Sequence, residues 1–222
     1  MDEPSTQVLS GTVALVTGAS RGIGAATAIG LARLGAHVVI AARDDVGLTA
    51  TDDAIRALGG EATLLPADLT KGDVTDQIGI SLYERFGRLD ILVHAAATAG
   101  RLLPVGQIDQ TDWEPAFGIN ATATWRLIRA CGGLLRDAPY GRAVALVRNG
   151  APAAYAGVVG ASMAARRDLV LSWAAEVART RLRVNLFDPA MLAPQPAAAR
   201  LVAMSLPSEM RHGAVVTGRT DT

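Results

Sequence analysis

Short apolar runs alternate along the chain with longer segments whose apolar positions recur at helical spacing. TVALVT (12–17) is rich in β-branched residues and reads as a buried strand. Similar runs follow at HVVIAA (37–42), EATLLPA (61–67), LDILVHA (89–95), GRAVALV (141–147) and LRVNLF (182–187). Between them, residues 22–34, 46–58, 72–87, 110–136 and 157–179 are long enough for helices. Alternation of this kind predicts βαβ units and a parallel sheet covered on both faces. No linker or internal repeat interrupts the pattern. The expectation is one α/β domain over 1–222, with 1–10 as an N-terminal tail and 190–222 as a short closing segment.

Composition narrows the partners. A chain of 222 residues, half of them apolar, can bury a proper core. Its 21 basic and 21 acidic residues balance, so there is no net positive charge to favour nucleic acid as a partner. Lys71 is the only lysine, so any mechanism that needs a lysine must use it. The single cysteine, Cys131, rules out an internal disulfide and a cysteine metal cluster, and fits a reducing cytoplasm. His37, His94 and His212 are too scattered to predict a metal site. MDEPSTQVLSG at the start is acidic and lacks the basic and apolar regions of a signal peptide. No uncharged apolar window of about 18 residues predicts a membrane span.

The first candidate chemistry is TGASRGIG (17–24), placed between the first predicted strand and the first predicted helix. Glycine permits positive φ and lets backbone approach a ligand where a Cβ would intrude. The free amides of the following helix start then suit a pyrophosphate. In that position the loop predicts dinucleotide binding through Gly18, Ser20, Arg21, Gly22, Ile23 and Gly24.

The spacing T-G-x-x-x-G-x-G resembles that of the short-chain dehydrogenase/reductase family. The resemblance runs from about Gly11 to Pro189 and includes ADLT (67–70), HAAA (94–97), NATAT (120–124), ASMAA (161–165) and RVNLFDPA (183–190). It implies a doubly wound Rossmann sheet of strand order 3-2-1-4-5-6, with GAVVTG (213–218) as a short seventh strand. It implies that Asp68 and Leu69 lie near the adenine, and that Ala95, Ala96 and Ala97 pass beside the cofactor ribose. Family members usually carry Asn-Asn-Ala-Gly or His-Asn-Ala-Gly at 94–97. Here Ala95 lacks the bracing amide, and Ala97 adds a methyl where backbone runs close to cofactor. Members usually pair through their fourth and fifth helices, which implies a homo-oligomer through 112–130 and 157–178.

The end of the second predicted strand bears on which nicotinamide cofactor is bound. An acidic residue there would chelate the ribose hydroxyls and repel a 2′-phosphate. Ala42 occupies that position, Arg43 follows it, and Arg21 stands in the glycine loop. Paired guanidinium groups suit a 2′-phosphate, so NADP(H) is expected over NAD(H). Asp44 is the alternative partner for Arg43.

The helix predicted at 157–179 departs most from the family. Its catalytic Tyr-x-x-x-Lys resembles this stretch through Ala161, Ser162 and Ala164, which puts Val159 at the tyrosine and Met163 at the lysine. A free tyrosine titrates near 10, and a neighbouring ammonium lowers it into a useful range. Valine and methionine can do neither job. No serine lies between Ser81 and Ser162 and no threonine between Thr124 and Thr180, so the strand at 141–147 lacks the third catalytic group. Val147 or Arg148 takes its place. Asn120 alone of the catalytic tetrad remains, either for catalysis or to brace a helix kink. Met163 and Trp173 read as packing residues, within a stripe of Leu169, Val170, Trp173, Ala174 and Val177. The sequence therefore predicts a family member with impaired catalysis that acts by binding. Two alternatives stay open: a reductase rewired through Tyr155 and Arg148, and an interaction protein that binds no nucleotide.

Overall fold

Each predicted strand takes its place in one seven-stranded sheet, seen in a computed structural model that describes residues 7–148 and 153–218. The strands are β1 (Val13–Thr17), β2 (His37–Ala42), β3 (Ala62–Pro66), β4 (Ile91–His94), β5 (Arg142–Leu146), β6 (Arg183–Asp188) and β7 (Val215–Thr217). Every pairing is parallel, in the order β3-β2-β1-β4-β5-β6-β7. β1, β4 and β5 are buried at every residue, as strands covered on both faces must be. The result is a single Rossmann-like α/β domain. Strand order reverses between β1 and β4, and a crevice opens at the carboxyl ends of the strands there.

Side-chain alternation divides the core in two. Leu15, Leu92 and Leu186 face α3 (Gly72–Phe86), α5 (Ala123–Asp137) and α6 (Gly157–Val177). Val16, Val93 and Phe187, one residue further along their strands, face α1 (Gly22–Arg33), α2 (Asp45–Arg56) and α7 (Pro194–Met204). On α6, Val170, Trp173 and Ala174 are buried, and Leu169 and Val177 flank them half-buried. No described helix is long and apolar enough to cross a membrane.

The expected continuous helix over 110–136 is interrupted. α4 (Gln110–Phe117) gives way to a π-helical turn (Gly118–Thr122) before α5 begins. Pro115 has no N–H to give the preceding turn, and Ala123 N reaches back five residues to Gly118 O. Asn120 is fully buried in this turn, consistent with a bracing role.

The supposed tail is partly structured. Residues 1–6 lie outside the described residues, but Leu9 is buried and its N–H donates to Leu34 O at 2.9 Å. The closing segment supplies α7 and β7, and residues 219–222 lie outside the described residues.

Candidate nucleotide cleft

The glycine loop forms the turn from β1 into α1. Gly18 has φ 69°, and a Cβ there would stand 2.7 Å from Ala96 N, so the loop lies directly on the segment after β4. A Cβ on Gly24 would collide with the Gly18 carbonyl, which lets the first turn of α1 sit against the loop. Arg21 is the N-cap residue and makes no side-chain cap bond, leaving first-turn amides of α1 without that partner. Thr51 on α2 donates from Oγ1 to Ala19 O at 2.9 Å and fixes the loop from behind.

A cleft of about 490 Å³ opens above these residues. Gly18, Ser20, Arg21, Gly22, Ile23 and Gly24 line it from the glycine loop. Ala95, Ala96 and Ala97 line it after β4, and Arg43 and Leu69 line it after β2 and β3. Asp68 does not line the cleft. Its Oδ1 accepts from Thr70 N at 3.0 Å and from Thr70 Oγ1 at 2.8 Å. Burial pushes the Asp68 carboxyl up, but the Thr70 bonds and the charges of Arg43 and Lys71 hold it below its ordinary value. Ile119 and Leu146 also line the cleft and were not singled out from sequence. The rule that ligands sit at strand carboxyl ends would have found Leu146, the last residue of β5.

Asp44 does not pair with Arg43. Its carboxylate accepts from Gly47 N at 3.1 Å and caps α2. Arg43 is exposed and joins no ion pair among the described residues.

The residues expected at the catalytic positions point into the packing. Val159 and Met163 on α6 are 2% and 7% exposed, and neither lines the cleft. Asn120 donates from Nδ2 to Thr98 O at 3.0 Å and to Ser162 Oγ at 2.9 Å, and its Oδ1 accepts from Thr98 N at 3.0 Å. The side chain thus ties the loop after β4 to α6. Val147 is buried, and Arg148 and Tyr155 are exposed outside the cleft lining. Tyr155 adopts φ 66°, and its carbonyl accepts from Leu103 N at 2.9 Å. Residues 149–152, between Arg148 and Tyr155, lie outside the described residues.

Arg166 is the residue that sequence reasoning missed. It stands on α6 one turn beyond Met163 and is fully buried. Its Nε donates to Asn120 O at 2.8 Å and to Thr124 Oγ1 at 3.1 Å. Its Nη1 donates to Leu146 O at 2.9 Å, and its Nη2 to Ala96 O at 2.7 Å and Ile119 O at 3.1 Å. The π-helical turn frees the Ile119 carbonyl for this bond, because Ala123 N has gone to Gly118 O. Burial lowers the guanidinium to about 9, so it stays charged at neutral pH.

Beside it, His94 bonds Thr17 Oγ1 through Nδ1 at 2.7 Å and Thr124 Oγ1 through Nε2 at 3.0 Å. Thr124 Oγ1 donates to Asn120 O at 2.8 Å, so the Nε2 proton is assigned to His94, with Thr17 donating to Nδ1. Burial, and secondarily the charge of Arg166, hold the imidazole well below its ordinary value of 6.5.

A nicotinamide dinucleotide fits this cleft by its glycine wall, its uncapped helix start and its free arginine at the end of β2. The model of the short chain dehydrogenase family matches residues 12–203. The chain is similar to the short-chain reductase protein NovJ of Streptomyces niveus, 34% identical over 82% of this chain and 70% of that protein. It is also similar to a 3-oxoacyl-[acyl-carrier-protein] reductase of a Synechocystis species, 36% identical over 61% of this chain and 55% of that protein. Among solved structures, a metagenomic short-chain oxidoreductase in complex with NADP superposes with a TM-score of 0.89 at 30% identity, covering 96% of this chain and 100% of that one.

Proposed function

Because the chain belongs to the short-chain dehydrogenase/reductase family of oxidoreductases, we propose that it binds NADP(H) in this cleft and acts through that binding, with impaired catalysis. The observation that carries the reading is α6, which buries Val159 and Met163 where the family resemblance puts the catalytic tyrosine and lysine. When bound, the nicotinamide supplies hydride chemistry. Away from β2 and β3, the described residues that line the cleft beyond the glycine loop are Ala95, Ala96, Ala97, Ile119 and Leu146, none of which carries a side-chain proton to give. The asparagine left from the tetrad is committed to Thr98 and Ser162. Tyr155 and Arg148 stand outside the cleft lining, which counts against the rewired reductase.

NADPH is preferred over NADH in this reading. Ala42 offers no carboxylate to the ribose, Asp44 lines the cleft but caps α2, and Arg43 and Arg21 line the cleft with no ion pair among the described residues. The protein also forms a homo-oligomer through 112–130 and 157–178. Supporting that are the half-exposed Trp125, with the Arg129 guanidinium 4.9 Å from its ring, and the exposed small residues Ala161 and Ala164 of α6. The lone Cys131 supports a reducing cytoplasm as its compartment.

Calorimetric titration with NADPH and NADH tests the proposal. NADPH is expected to bind about tenfold or more tighter than NADH, with Arg43→Ala removing most of that difference. NADPH oxidation with a panel of aldehydes and ketones is expected to stay at the protein-free rate. Absence of saturable binding at millimolar NADPH would refute the cofactor assignment. Carbonyl-dependent turnover that disappears in Gly24→Val would refute the catalytic impairment.

A further inference from the structure

The positive charge of Arg166 lies just behind the cleft wall, with no carboxylate among the described residues to neutralise it. Its acceptors are the carbonyls of Ala96, Ile119, Asn120 and Leu146 and the hydroxyl of Thr124. These satisfy its N–H groups but leave the unit charge in place, and no carboxylate pairs with it among the described residues. The neighbouring imidazole, His94, is held neutral and adds no charge to it.

Three of those acceptor residues, Ala96, Ile119 and Leu146, line the cleft. Ala96 follows β4 and Leu146 ends β5, across β1 from β2 and Arg43. With the pyrophosphate over the start of α1 and the adenosine towards β2, the β4 and β5 side receives the nicotinamide half of a dinucleotide. Oxidised nicotinamide is a pyridinium cation, whereas the reduced ring is neutral. A fixed cation behind this wall therefore repels one redox state and leaves the other unaffected. The carbonyls that Arg166 holds are also drawn away from any role as acceptors facing a cationic ring.

We infer that Arg166 sets a redox preference of the cleft, so that the protein binds NADPH in preference to NADP⁺. The inference rests on the NADP(H) reading above and turns it from cofactor binding in general to binding of the reduced form. In a medium of effective dielectric about 20, repulsion between two unit charges across the wall is expected to shift affinity by about tenfold.

The test is the ratio of dissociation constants for NADP⁺ and NADPH, measured by calorimetry on the full chain and on Arg166→Lys, Arg166→Gln and Arg166→Met. The unsubstituted protein is expected to favour NADPH by about tenfold. The neutral variants are expected to bring the ratio towards one, and Arg166→Lys to keep it even where both affinities fall. A merely structural role for Arg166 moves both affinities together and leaves the ratio unchanged, which would overturn the inference. A ratio at or below one in the unsubstituted protein overturns it as well, whether or not the variants fold. Failure to bind either form would instead refute the NADP(H) reading, and this inference with it.

Discussion

Ala190 has a backbone φ of 51°, in the left-handed region that L-residues other than glycine avoid. The conformation is held by Asp188, whose Oδ1 accepts from Ala190 N at 2.9 Å. A left-handed alanine costs roughly 1–2 kcal/mol, part of which glycine returns through its larger unfolded-state entropy. Ala190→Gly should therefore stabilise the protein by about 1 kcal/mol and raise Tm by about 2–4 °C in a thermal melt. An unchanged or lower Tm would mean that the loop relieves the strain by other means. Arg166 shows the opposite case at this scale. In the run ARRD, Arg166 looks like one member of a solvated charged face, and the side chains of Arg167 and Asp168 are indeed 41% and 69% exposed. Arg166 alone turns inward, because carbonyls from β4, β5 and the π-helical turn converge on that one point. Nothing local in the sequence records that convergence.

At the scale of elements, the strands and most helices were legible, because each carries its own period and composition. The helix over 110–136 was not, since a π-helical turn of five residues is too short to leave a period of its own in the apolar spacing. The same holds for the polar link between β1, β4 and α5, made by Thr17, His94 and Thr124. That link makes a prediction about pH. His94 is neutral when folded and has a depressed pKa, so above its ordinary value of 6.5 neither the folded nor the unfolded state holds the proton and stability is full. As pH falls through 6.5 towards the folded value, the unfolded chain takes up a proton that the fold refuses, and stability is lost. One such proton is worth up to about 1.4 kcal/mol per pH unit. Urea unfolding between about pH 7 and 5.5 should show a falling midpoint, with a shallower fall in His94→Asn. Parallel curves for the two proteins would exclude His94 as the titrating group.

At the scale of the whole molecule, the proposed pairing through 112–130 and 157–178 places the half-exposed Trp125 at a subunit contact. Sedimentation should find a dimer or tetramer at micromolar protein, and Trp125→Glu should shift it towards monomer. A monomeric unsubstituted chain would remove the pairing. By itself, the sequence determined the α/β class, the glycine loop and the absence of an acid at the end of β2, and its resemblance to the family put Val159 and Met163 where a tyrosine and a lysine are expected. Each of these rests on near neighbours in the chain or on a motif of fixed spacing. Only the tertiary structure decided that Asp44 caps a helix instead of pairing with Arg43, that Asn120 is held by Thr98 and Ser162, and that Arg166 is buried behind the cleft wall. Those outcomes depend on which backbone groups lie free within hydrogen-bonding reach, and for Asn120 and Arg166 the groups come from segments brought together only when the sheet and its helices pack.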